Sequence, residues 1–231
     1  MTIFGYQIKS FIMKIILSCI LVIIFLFSSC DEDNPLEIPD STITAKEQIQ
    51  KVLQKARTDF APDARLAAIY GRNVSTSGEI DLLNTSSLNA FVYVVQSNTQ
   101  QRNEFYIPVY QSDPVRSPIN FTTMLSFIKD STAGDIVGSA LNLLATVTIS
   151  ESANYDDSPA AVNKALQNGG SQFIQQNAGA KIDMFLLPSK AIDTLSVTNS
   201  ADWVINFYGS SSSLVLWLNT GTGEVVNLSA L

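Results

Sequence analysis

The chain of 231 residues contains no histidine, and its two cysteines are Cys19 and Cys30. A Ser-His-Asp triad, a histidine general base and a His-ligated metal site are therefore excluded. Carboxylates, lysines and hydroxyls remain as reactive groups. Ser126-Phe127-Ile128-Lys129 has the Ser-x-x-Lys spacing that puts a hydroxyl and an amine on one helix face, the arrangement a small serine hydrolase would need. The same residues are equally those of a polar helix face with Lys129 in solvent. Asp156-Asp157 has the chemistry of a calcium ligand pair or a glycosidase acid and base. It also suits the start of a helix near Ser158, where negative charge meets the positive end of the helix dipole. Asp31-Glu32-Asp33 lacks the glycine and the later glutamate of a calcium loop, and Gly221-Thr222-Gly223 has no following lysine to hold a phosphate. No cofactor is expected.

Aromatic residues offer a different chemistry, that of stacking on a sugar or a peptide. Trp203 alternates with Ile205 and Phe207 and is expected in the core. Trp217 is opposite in phase to Leu216 and Leu218, so Trp217 and Tyr208 are the candidate ligand-binding residues.

These residues have to be held by the elements around them. Thr44 and Glu47 have the spacing of a capping box, and Ile49, Val52, Leu53, Ala56 and Phe60 come after them at helical period. Short apolar runs then predict strands over 66–70, 91–95 and 105–110, with a hairpin loop over 97–104. Pro108, which has no N–H to donate, predicts that the third of these lies at an edge. Phe121, Met124, Leu125 and Ile128, then Ile136, Ala140, Leu141 and Leu144, predict helices capped at Asn120 and Asp135. Ser158-Pro159 reads as a cap with a first-turn proline ahead of Val162, Ala165 and Leu166, and Gly169-Gly170 should break or end that helix. Strands are predicted again over 181–187, 203–208 and 214–218, with a turn over 209–213. The fold class is α+β, with antiparallel strands and packed helices. Helix, strand, gap and hairpin recur, so residues 44–117 and 151–231 read as two related units joined by a helical stretch over 118–150. Phe91-Val92 would correspond to Trp203-Val204.

The N-terminus has its own pattern. Residues 15–27 are apolar almost throughout, Lys9 and Lys14 precede them, and Ser28-Ser29-Cys30 comes next. Thirteen residues suit the core of a signal peptide, about 7 to 15 long, better than the roughly 20 needed to cross a bilayer. The segment resembles a bacterial lipobox, with Phe27 where leucine is usual and Met13 as a second start. That resemblance implies removal of residues 1–29 and acylation of Cys30. An acidic tether over 30–43, with Pro35 and Pro39, would lead to the folded body over 44–231. Asp31 directly after the cysteine resembles an inner-membrane retention signal of some bacteria, and the acidic run resembles a surface-export signal of others. The expectation is the outer membrane and its exposed face. Cys19 would leave with the leader, and Cys30 would carry lipid, so no thiol remains for catalysis or for zinc and iron–sulfur ligation. All 21 acidic residues lie after residue 29 but only 12 of the 14 basic ones do, a formal charge of −9 for the mature chain. Nucleic acid is a poor partner for that surface. The partners expected are the membrane, through lipid, and a peptide, protein or glycan ligand.

Two further resemblances bear on the body. Trp203-Val204-Ile205-Asn206-Phe207, the hairpin after it and Gly221-Thr222-Gly223-Glu224-Val225 look like the end of a PepSY-type or cystatin-like unit. That implies a helix laid across an antiparallel sheet, and a binding or inhibitory module or envelope accessory factor without catalytic residues. Ser126 with Lys129, and Ser152-Ala153-Asn154 downstream, resemble the penicillin-binding and β-lactamase arrangement, but the Lys-Thr-Gly element is missing. Between them, a non-catalytic binding or structural module is the expected function. Asp40-Ser41-Thr42, Asp130-Ser131-Thr132 and Asp193-Thr194-Leu195 resemble a short O-glycosylation signal, a pattern that also arises by chance.

Overall fold

A computed structural model describes residues 40–84, 89–117, 147–189 and 200–230, together with Gly138. Cys30, Ser126, Lys129 and the helices expected between 118 and 146 lie outside the described residues. The compact unit runs from Ser41 to Leu231. It contains β1 (Thr42–Ile43), α1 (Ile49–Asp59), β2 (Arg65–Arg72), β3 (Ile80–Asp81), β4 (Ala90–Ser97), β5 (Arg102–Val109) and β6 (Ser112–Arg116). After these come α2 (Ser158–Ala165), α3 (Ser171–Gln176), β7 (Lys181–Pro188), β8 (Ala201–Tyr208), β9 (Ser213–Leu218) and β10 (Val225–Asn227).

Eight of the strands form one antiparallel sheet in the order β10-β9-β8-β7-β2-β4-β5-β6, while β1 pairs with β3. The sheet is two copies of one plan, each a helix followed by a four-stranded meander. The first strands of the two copies, β2 and β7, meet antiparallel at the centre. There Tyr70 faces Phe185, with their rings stacked at a centroid distance of 4.6 Å. Tyr70 pairs onward with Val92, and Phe185 with Val204. This register puts Phe91-Val92 and Trp203-Val204 at corresponding places on either side of the central β2–β7 pair. Gly71 is required at the centre because a Cβ there would lie 2.7 to 2.8 Å from Val74, Met184 and Phe91.

Alternation divides the side chains between two buried faces. The first face gathers Ile69, Phe91, Tyr93, Met184, Trp203, Ile205 and Phe207 under the helices, with Val52, Leu53 and Ala56 of α1 and Ala161, Val162 and Ala165 of α2. The second gathers Tyr70, Val92, Val94, Phe185, Leu187, Val204 and Val215, with Leu228 packed on them. Burying a side chain of this size is worth about 1.5 to 3 kcal/mol.

Local rules hold where no distant group competes. Asp157 caps α2, its carboxylate accepting from Ser158 N–H at 2.7 Å, with Pro159 in the first turn. The cap is thus one residue earlier than Ser158. The capping box at Thr44 forms only in part. Glu47 Oε2 accepts from Thr44 N–H at 2.8 Å, but the Thr44 hydroxyl is buried without a partner among the described residues, and α1 starts at Ile49. The reason is long-range: Ala45 N–H donates to Ser158 Oγ and Lys46 N–H to Asp157 Oδ1, so these amides are spent on the second unit.

Other expectations need correction. The folded part includes Thr42 and Ile43, which were expected in the tether, and Ile43 is buried. Pro108 does not place β5 at an edge, since β5 pairs with both β4 and β6. The β4 ladder ends at Tyr106 and the β6 ladder breaks register between Ile107 and Val109, so proline's missing donor costs nothing. The edge belongs to β6, which carries Pro114. Gly169 and Gly170 do break the helix, as expected, by a kink at Asn168 and Gly169. Gly169 takes φ 110°, and the chain resumes as α3. A Cβ on Gly170 would lie 2.5 Å from the Phe207 ring, so glycine lets the kink press on the core.

Candidate functional site

The largest cavity among those described opens where α1 ends. The β2–β7 ladder covers only Ile69 to Gly71, so the start of β2 has no β7 partner. The Leu66 carbonyl is taken instead by Ile149 N–H at 2.8 Å, which draws residues 148–151 alongside. Between this segment and the C-terminal end of α1 lies a cavity of about 630 Å³, floored by Pro62, Leu66 and Ile149. A second hollow of about 220 Å³ shares Leu66, Ile149, Ser150 and Glu151 with it and continues past Leu53 and Ile49 to Lys46 and Tyr155. Together they form a trough along one flank of α1, within the size range of ligand sites.

Most charges around the trough are committed. Arg57 donates from Nη2 to Glu151 Oε1 at 2.6 Å and from Nε to the Ala64 carbonyl at 3.3 Å, fastening the helix end to the 148–151 segment. Both side chains are largely exposed, so the pair is worth about 0 to 1 kcal/mol and acts mainly as a brace. Asp63 accepts from Ser97 Oγ at 2.7 Å and from Thr99 N–H and Oγ1 at 3.0 Å each. Led by the Ser97 hydroxyl, these donors lower the Asp63 carboxyl to about 2. At the far end Lys46 lies over the Tyr155 ring at 4.2 Å and donates to the Tyr155 carbonyl. Burial raises the Tyr155 hydroxyl to about 12. Among the described residues Arg65 has no side-chain hydrogen bond or ion pair. Ser150 Oγ lies 2.9 Å from Ser152 Oγ, and the chain has no histidine to take a proton from either.

Comparison with protein-family models, curated proteins and solved structures finds no match for this chain. The function therefore has to be argued from the geometry.

Trp217 and Tyr208 share the second face of the sheet but are not neighbours. Trp217 pairs with Val204 and Tyr208 with Ser213, and the Asn206–Val215 pair stands between them. Each is tied to a buried carboxylate. Trp217 Nε1 donates to Asp202 Oδ2 at 3.1 Å, and Tyr208 Oη donates to Asp183 Oδ1 at 3.3 Å. Asp202 also accepts from Thr220 N–H at 2.8 Å, fixing the turn between β9 and β10. Asp183 collects Tyr70 Oη at 2.9 Å and Asn73 N–H at 3.0 Å as well. Burial raises the Asp183 carboxyl above its ordinary value, although its donors pull it down. Burial also pushes Tyr208 above its usual value, with the nearby Asp183 carboxylate adding to the shift. Trp203 is in the core, as its phase implied, with Nε1 donating to the Asp156 carbonyl at 2.9 Å. Asp156 itself pairs with Lys164 at 2.6 Å. Among the described residues no group of three His, Cys, Asp or Glu side chains forms a metal site, and no helix is long and apolar enough to cross a membrane.

Sequence reasoning missed Asp183, Asp202 and the whole trough. An acidic residue inside the apolar run Lys181 to Leu187 was the one visible signal for Asp183.

Proposed function

We propose that this chain is a lipoprotein of the bacterial cell envelope, held at the outer membrane through acylated Cys30, and that its α+β body is a non-catalytic binding module using the trough beside α1. The observation carrying the binding reading is the trough itself. It is a cavity of ligand size whose walls are braced by the Arg57–Glu151 and Asp63–Ser97 contacts. Braced walls keep a site open before its ligand arrives, which lowers the ordering cost of binding. The hydroxyls of Ser97 and Thr99 at its wall donate to Asp63, a carboxylate lowered to about 2 and so a weak base, which favours holding a ligand over cleaving one. The tether reading is supported by the short apolar leader, its lysines and the small residues before Cys30.

The repeated plan favours a second reading. A helix laid over an antiparallel meander, twice in one sheet, is the layout that the PepSY-type or cystatin-like resemblance implies, and an inhibitory or accessory role would use the same trough against a protein partner.

Hydrogen exchange on the native protein, with and without solubilised envelope extract, tests the site. Protection confined to 57–66 and 148–153 is expected. Unchanged exchange in both segments would remove the trough from consideration, and labelling of Ser126 by a fluorophosphonate would replace binding with hydrolysis.

A further inference from the structure

We infer that the trough takes a peptide bearing a carboxylate, which Arg65 receives at the mouth while an apolar side chain rests on Leu66 and Ile149. This rests on the trough being the binding site and specifies what it recognises. Four ionisable side chains line the larger cavity: Arg57, Asp63, Arg65 and Glu151. Arg57 and Glu151 neutralise each other at 2.6 Å. The Asp63 carboxylate is held by the Ser97 hydroxyl and by the Thr99 amide and hydroxyl, which take three of its roughly four acceptor positions. The guanidinium of Arg65 remains, exposed and without a partner among the described residues. A guanidinium presents a planar fork of donors that matches a carboxylate in two parallel hydrogen bonds, so in a lining whose charges balance it is the unbonded donors of Arg65 that suit an anion of that shape.

The walls favour a peptide over an acyl chain. Beside the apolar floor stands Thr148, whose hydroxyl suits an amide or carbonyl of a backbone, whereas an acyl chain would give it nothing to bond. The smaller hollow continues the trough along α1 past Leu53 and Ile49, giving an extended segment room beyond the anchored end. Either a chain terminus or an acidic side chain supplies the carboxylate.

Three fluorescein-labelled hexapeptides with small and branched apolar residues separate these cases by anisotropy on the full-length protein. One has a free C-terminus, one is amidated, and one is amidated with a glutamate near its end. The free acid, the glutamate peptide or both are expected to bind at least about tenfold more tightly than the plain amide, the size of a charged hydrogen-bond pair. Arg65→Gln is expected to remove that advantage and bring the affinities of the three peptides together. Because Arg65 is exposed and its guanidinium has no partner among the described residues, the variant should fold as the parent does, checked by its melting temperature. Equal affinity for all three peptides, binding insensitive to Arg65→Gln, or no binding of any of them overturns the inference. The binding-module reading is judged separately, by protection of the trough in envelope extract.

Discussion

Replacing Asp183 separates two contributions of a buried carboxylate, the charge it hides and the donors it satisfies. Asp183 is 2% exposed and holds the Tyr70 hydroxyl, the Asn73 amide and the Tyr208 hydroxyl. In Asp183→Ala the Tyr70 hydroxyl and the Asn73 amide lose their acceptor in a buried setting, at about 1 to 3 kcal/mol each, so a loss of about 3 kcal/mol is expected. Asp183→Asn keeps an oxygen for Asn73 and offers an N–H that the Tyr70 oxygen can accept. It also removes the charge, so at pH 7 it should equal the parent or exceed it by about 1 kcal/mol. The pH dependence gives the sharper test. Burial raises this carboxyl above 3.8, so the native state binds the proton more tightly than the unfolded chain. Stability from this group is fully present below 3.8 and is lost as pH rises through the raised native value. The advantage of Asp183→Asn should therefore grow across that window and then level off. Urea denaturation followed by tryptophan fluorescence at a series of pH values measures it. A variant less stable than the parent at pH 7, or a difference that does not change with pH, would refute the reasoning.

Asp63 should behave in the opposite sense. Its carboxyl is lowered to about 2, so its contribution is present above the ordinary 3.8 and fades as pH falls towards 2. Asp63→Asn should flatten that acid limb and speed hydrogen exchange at Thr99, whose amide it accepts. Asp202→Ala orphans Trp217 Nε1–H and Thr220 N–H, for a loss of about 2 kcal/mol. Its tryptophan emission should also move to the red as Trp217 is released, whereas an unshifted spectrum would mean the indole is held by packing alone.

Legible and hidden features of the sequence divide along the range of the interactions. The strands containing Phe91 to Val95 and Trp203 to Tyr208 are runs of apolar residues buried on both faces, and such runs are legible within a few residues. β6 escaped notice because Ser112-Asp113-Pro114-Val115-Arg116 has one apolar branched residue among polar ones, and its strand state comes from pairing with β5. The capping box misled because Ala45 and Lys46 find their acceptors at Ser158 and Asp157, 113 and 111 residues away. Asp183 shows in sequence only as an acidic residue in an apolar run, since nothing near it announces its partner Tyr70. The trough is hidden for the same reason. Its walls come from residues 57–66 and 148–151, brought together by the bond from Ile149 N–H to the Leu66 carbonyl.

Intact mass spectrometry of the protein purified from its own cell envelope most directly tests whether a binding body is tethered by lipid. A chain beginning at Cys30 and carrying a mass increment of acyl chains on that residue is expected. A chain that retains residues 1–29, or an unmodified Cys30, would contradict the lipid tether.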